Sequence, residues 1–154
     1  MPEKINQPRN AEVKAQLAKA RLVWRDTFAR DNNERFTSVQ KFVDSEIIRH
    51  MVPYTPMRSG FLMKSPVLGT KIGSGRIFYA SPYARFQYYG FVMVSQLTGS
   101  PYARQGESKV LTTRPLTYSQ ARHPKAQRRW FEVMKQDKKE AILRGAQQIA
   151  NRGK

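Results

Sequence analysis

Two histidines, eleven carboxylates and no cysteine are the whole supply of conventional acid–base, nucleophilic and metal-binding chemistry in this 154-residue chain. The missing thiols remove disulfide frameworks, thiolate metal sites and cysteine nucleophiles together. His50 falls at an expected helix end and His123 stands directly before Pro124; both are read as structural. Hydrolytic metal sites need several ligands that converge. Residues 51–154 offer only Glu107, Glu132, Asp137 and Glu140. The last three share one expected helix, but their spacing scatters them around it. They read as ion-pair partners of neighbouring lysines at i,i+3 or i,i+4. Paired-carboxylate hydrolysis is therefore poorly supported. Gly73-Ser74-Gly75 lacks the third glycine, the preceding strand and the following helix of a nucleotide loop, and reads as a turn. The expectation is a non-enzymatic chain with no catalytic residue, no cofactor and no metal.

Positive charge is what remains. The chain carries 28 Lys and Arg against 11 Asp and Glu, a net charge of +17. The excess lies mostly after residue 50, where eighteen basic residues meet four acids. Such a surface seeks phosphate backbones, anionic lipid or an acidic protein partner, and charge alone does not choose among them. The candidate contact residues are Arg76, Arg85, Arg104, Lys109, Arg114, Arg128, Arg129, Lys135, Lys138 and Lys139. Tyr79, Tyr83, Phe86, Tyr88 and Tyr89, interleaved with Arg76 and Arg85, could stack on single-stranded bases. More often such a cluster packs a helix on a sheet. No helix-turn-helix spacing is present, and a zinc finger is excluded without cysteine.

The elements that must position these residues follow from periodicity. One domain is expected at this length, with a modest core supported by 40% hydrophobic residues. Val13, Leu17, Trp24 and Phe28 share one face at a 3.6-residue period and predict a helix. Asp31-Asn32-Asn33 predicts a break. Phe36, Val39, Val43 and Ile47, widened by Phe42 and Ile48, predict a second stripe ending near Met51 before Pro53 and Pro56. Region 9–51 is thus one bent helix or two. Leu62–Ser65 and Arg76–Tyr79 read as a hairpin. Pro82–Tyr89 reads as a short helix closed by Gly90, and Phe91–Val94 as a strand. A loop over Thr98–Ser108 reads as a mobile tip, either a partner-contacting arm or a disordered excursion with no role, and Lys109–Thr113 as the returning strand. A long helix opened by His123-Pro124 then carries Trp130, Met134, Ala141, Gly145 and Ile149 on one face, with Val133 and Ile142 flanking. Residues 1–8 and 151–154 are expected to be flexible. The polar N-terminus lacks a signal-peptide run, and no apolar segment approaches the roughly 20 residues that span a bilayer. A soluble intracellular product with no membrane partner is expected.

Three segments carry a resemblance. Tyr54-Thr55-Pro56-Met57-Arg58-Ser59-Gly60-Phe61-Leu62 resembles the proline, then Ser/Thr-Gly-x-Leu signature of tailed-bacteriophage minor capsid, neck and tail-completion proteins. Tyr79 to Gly90 (YASPYARFQYYG) is similar to that family's tyrosine-rich block, and Ala126 to Lys135, around Trp130-Phe131-Glu132, to its C-terminal helix start. The first 50 residues and the extended Phe91–Ser119 region depart from the pattern. The resemblance implies an α+β fold: an N-terminal helix or helices, a small mostly antiparallel sheet with a long hairpin arm, and a long C-terminal helix. It further implies a structural subunit of the head–tail connector, in a homo-oligomeric ring of six or twelve copies around the DNA channel. Its partners would be itself, neighbouring neck, portal or tail proteins, and packaged double-stranded DNA through non-specific phosphate contacts. It would assemble in the bacterial host cytoplasm and remain in the virion. Pro56, Gly60, Tyr79, Tyr83, Tyr89, Gly90 and Trp130 are the motif positions expected to act structurally, Gly60 by easing the exit from the Pro56 turn into a strand. The alternative is a basic, sequence-nonspecific nucleic-acid-binding protein.

Overall fold

The computed structural model describes residues 4–16 and 18–152 and has an α+β architecture. Two long helices, α1 (Phe28–Met51) and α4 (Trp130–Asn151), pack along each other and enclose the core. Val43, Ile47 and Met51 line that seam from α1; Trp130, Met134 and Ile142 line it from α4. The Phe42 ring lies so close over Gly145 that a Cβ there would fall inside van der Waals contact, which lets the helices approach. The buried face of α4 is rotated from the predicted one. Ile142 and Ala146 are buried, while Ala141 is exposed and Gly145 half-buried.

A 3-10 turn (Val52–Tyr54) ends α1, as Pro53 requires, and the chain then reaches α2 (Phe61–Gly69). Gly60 adopts φ +83°, a left-handed conformation that costs a glycine little, and so makes the exit from the Pro56 turn. That exit leads into a helix rather than the predicted strand. The short apolar run over 62–65 suits either structure by pattern alone. Pro66 sits inside α2 and cannot bond the Leu62 carbonyl; the Ser65 hydroxyl donates to that oxygen instead, at 2.9 Å. Arg76–Tyr79 runs extended without a strand partner. The loop before it is fixed by Asp44 of α1, a side chain only 1% exposed. Its carboxylate accepts from the Gly73 and Gly75 amides at 2.8 and 3.1 Å and from Gln40 Nε2 at 2.7 Å.

The short helix α3 (Ala84–Tyr89) closes on Gly90 at φ +81°, as the sequence predicts. Strands β3 (Phe91–Ser95) and β4 (Lys109–Pro115) pair antiparallel, with Met93 opposite Leu111 and Ser95 opposite Lys109. The ladder is irregular between Phe91 and Met93; there the Thr112 hydroxyl donates to the Val92 carbonyl at 2.8 Å. The connecting tip is internally bonded. Ser95 donates to Glu107 at 2.8 Å, and Lys109 Nζ reaches the Pro101 carbonyl at 2.6 Å.

The N-terminal prediction fails. Val13 lies on a strand, Leu17 lies outside the described residues, and Trp24 precedes the helix that starts at Phe28. Residues Ala11–Ala15 (the first strand, β1) and Ala18–Leu22 (β2) form an antiparallel hairpin. Asp31-Asn32-Asn33 is no break but part of the first turns of α1. The Thr27 hydroxyl donates to Asp31 at 2.7 Å, which holds the Asp31 carboxyl below its ordinary value. Asn33 instead anchors the N-terminal segment, exchanging two hydrogen bonds with the Ile5 backbone at 2.8 and 2.9 Å. Helix α4 also starts later than predicted, at Trp130, because His123-Pro124 belongs to a turn closed by Ala126 N on the His123 carbonyl.

Candidate functional site

The three segments that carry the resemblance meet at one indole. Trp130 is 1% exposed, and its Nε1 donates to the Tyr79 hydroxyl at 2.9 Å. Tyr79 lies tilted against it at 5.5 Å, and Tyr88 packs edge-on at 4.9 Å. The Tyr79 hydroxyl in turn donates to Met51 Sδ at 3.6 Å and stands 3.5 Å from Thr55 Oγ1. The buried Thr55 places its hydroxyl on the Met51 carbonyl at 2.9 Å, while its own carbonyl lies 2.7 Å from His123 Nδ1. Backbone bonds join the same pieces: Gln127 N to the Tyr54 carbonyl at 3.2 Å, and Arg129 N to the Tyr88 carbonyl at 2.8 Å. The last bond comes just where Arg129 takes φ 50°, a strained value for arginine.

Two of the three acids of α4 belong to this node rather than to lysines of their own helix. Asp137 accepts from the Tyr54 hydroxyl at 2.6 Å and from Lys125 at 3.2 Å, and Glu132 accepts from the Tyr88 hydroxyl. The Tyr54 bond, aided by Lys125, holds the Asp137 carboxyl below its ordinary value. Burial pushes the Tyr54, Tyr79 and Tyr88 hydroxyls up, and for Tyr54 and Tyr88 the adjacent carboxylate adds to the shift. Shifts in these directions move the groups away from neutrality, where a general acid or base works best. The node is built to hold three distant segments together.

Outward, two grooves flank α3. One, of about 850 Å³, lies between Pro56–Leu62 and a wall of Tyr83, Gln87, Tyr118 and Arg122. The other, of about 810 Å³, is lined by Asp44, Ile77, Phe78, Tyr89 and Phe131. The tyrosine block thus divides. Tyr79 and Tyr88 point to the core side, whereas Tyr83 and Tyr89 are exposed.

The ten candidate basic residues form no single cluster along the chain. Arg104, Lys109 and Arg114 belong to the β3–β4 arm. Arg76 precedes α3 and Arg85 lies in its first turn, and the remaining five sit at the start of α4 and along it. At 100° per residue, Lys135 and Lys139 share one flank of α4, while Arg144 shares the other with Asp137 and Glu140. Among the described residues none of the ten forms an ion pair. Arg128 instead packs its stem over Gly90, so the position tolerates no side chain.

The β1–β2 hairpin is the feature that sequence reasoning missed. Its signal was present as strict period-2 alternation in AEVKA and AKARL, but the apolar members also fit a helical period. Among the described residues, no group of three or more His, Asp or Glu is placed to hold a metal, and no helix is long and apolar enough to cross a membrane. Comparison with protein-family models, with curated proteins and with solved structures gives no match.

Proposed function

We propose that this chain is a structural, non-enzymatic subunit of the neck of a tailed bacteriophage particle, a homo-oligomeric ring joining head to tail around the DNA channel. The observation that carries the reading is the convergence at Trp130. Segments 54–62, 79–90 and 126–135 are far apart in sequence, yet they share one bonded node. The resemblance therefore covers a folded core, not three unrelated short words. Two hairpins that extend beyond this core supply what an assembling subunit needs, namely exposed apolar side chains outside the core. On the tip of the second, Leu97 and Tyr102 are 82% and 85% exposed. The internal bonds of that tip lower the ordering cost of docking it on a neighbour.

Unpaired basic residues on α4 and the β3–β4 arm suit phosphate contacts along a channel, which position a nucleic acid without reading its sequence. The same observation favours the second reading, a free-standing nonspecific nucleic-acid-binding protein. Cryo-electron microscopy of purified particles separates the two. The neck reading requires symmetric ring density for this chain at the head–tail junction, and its absence from the particle removes that reading. The second reading instead requires salt-sensitive DNA binding by the isolated monomer.

A further inference from the structure

We infer that the groove between the extended segment 76–79 and α3 takes an extended, acidic segment of a partner protein, which adds to this chain as a strand. In extended backbone the N–H and C=O of one residue point to one edge, and those of its neighbours to the other. The Thr70 hydroxyl occupies both groups of Phe78. It accepts from the Phe78 amide at 2.9 Å and lies 3.4 Å from the Phe78 carbonyl, to which it donates. The opposite edge is open. Among the described residues, the Ile77 amide, the Ile77 carbonyl and the Tyr79 amide have no hydrogen-bond partner.

The surroundings of the segment place that edge in the groove. Ile77 and Tyr79 pack against the core, whereas Phe78 is 63% exposed. Helix α2 closes the Thr70 edge so tightly that a Cβ on Gly69 would lie 2.7 Å from the Phe78 carbonyl oxygen. With the core beneath and α2 on one side, the open edge faces the remaining side. There Arg85, Tyr89 and Phe131 form the far wall of the groove, and Val43 and Ile47 of α1 form its floor. Backbone polar groups inside a protein are paired or hydrated. An unpaired extended edge is the template on which another chain adds a strand.

Shape and charge select the occupant. The lining is mostly apolar and aromatic, which suits the alternate apolar side chains of a strand. Phe78 and Tyr89, the latter 45% exposed, are uncovered aromatic contacts beside it. Asp44 is the one acid in the lining, but it is 1% exposed and its carboxylate already accepts from Gln40, Gly73 and Gly75. Arg85 is the one cation there, exposed and without an ion pair among the described residues. The occupant therefore brings a carboxylate to Arg85.

A second copy is disfavoured, because each chain carries a net charge of +17 and the two repel. A nucleic acid is disfavoured as well. Phosphate binding draws on several cations, and this groove offers one. A peptide strand presents an amide and a carbonyl on the same edge, as Ile77 does, so the two backbones exchange a pair of bonds. An acidic protein is also drawn to a basic chain over long range. The site exists whether or not the chain forms a ring.

The test uses the full chain, isotopically labelled, with NMR shifts and hydrogen exchange read at single backbone amides. The probe is the end-blocked peptide Val-Glu-Val-Glu-Val at millimolar concentration. Its controls are the same peptide N-methylated at every residue, the peptide Val-Lys-Val-Lys-Val, and a short thymidine oligonucleotide. In the free chain the Ile77 amide is expected to exchange without protection. With the site about nine-tenths filled, exchange at Ile77 and Tyr79 should slow about tenfold, since only the free fraction opens to solvent. The N-methylated and lysine peptides should leave both amides unchanged. Arg85→Glu, an exposed substitution checked by unchanged circular dichroism, should weaken the glutamate peptide by about threefold or more. The strand site is overturned by an Ile77 amide already protected in the free chain, or by a glutamate peptide that does not bind. Equal binding of the N-methylated peptide overturns it too. Equal binding of the lysine peptide, or shifts at Ile77 that only the oligonucleotide produces, overturns the acidic partner.

Discussion

Trp130 and Val13 mark two regions that use apolar residues in opposite ways. Around Trp130, 1% exposed, no buried side-chain nitrogen or oxygen among the described residues lacks a hydrogen-bond partner. Around Val13, 67% exposed, six apolar side chains share a face and all stay exposed. The first region spends its hydrophobic surface on folding, where burial stabilises by roughly 25 cal/mol per Å². The second withholds it. A side chain that contributes nothing to its own fold remains free to contribute to a contact with another molecule, and this separates a core from an assembly surface.

Substitutions test that contrast, beginning where the loss is greatest. Trp130→Ala is expected to destabilise the fold by about 3–5 kcal/mol, as truncation of a buried aromatic does. An unchanged denaturation midpoint would remove Trp130 from the core. Asp44→Ala is expected to cost about 2–3 kcal/mol, since it strips the Gly73 and Gly75 amides of a charged acceptor. Urea unfolding measures it, and a neutral result would mean that water replaces the carboxylate. A smaller, pH-dependent effect belongs to Asp137. Its folded pKa is lowered, so its contribution is present above the unfolded value and lost as pH falls through the folded one, in the region below about pH 4. Asp137→Asn should therefore narrow the gap between melting temperatures at pH 7 and pH 3, and an unchanged gap would leave that ion pair without effect. Smallest of all, Val13→Lys is expected to change stability by less than about 0.5 kcal/mol, as surface substitutions do. Excision of Thr98–Ser108, which removes the Glu107 partner of the buried Ser95 hydroxyl, is expected to leave the fold intact. Either should still impair incorporation into particles. Normal incorporation of both variants would end the assembly role of the arms.

Much of the frame was legible in the sequence. The later part of α1, the Gly90 stop, the β3–β4 pair and the Trp130 helix all follow from patterns confined to a few turns or one strand. Where local patterns admit two periods, the reading went astray. Ala11 to Leu22 alternates at two and also fits 3.6, and Leu62–Ser65 is too short to decide. Asp31-Asn32-Asn33 has break-forming residues, yet Asn33 binds Ile5, a partner 28 residues away that no local pattern contains. Asp137 and Glu132 show the same limit, because lysine neighbours on the helix suggested ion pairs while Tyr54, Lys125 and Tyr88 provided the actual donors.

The sequence by itself determined the chemical inventory: a cysteine-free chain, strongly basic after residue 50, with motif words in a given order and amphipathic segments of set period. Only the tertiary structure decided which apolar residues would be covered. Burial depends on what arrives from elsewhere in the chain, and tyrosines, threonine and α1 arrive at Trp130 whereas Val13 stays 67% exposed. Hydrophobicity is a property of the residue, and its cover is a property of the fold. That difference separates the node that holds this protein together from the face it leaves open to a neighbour.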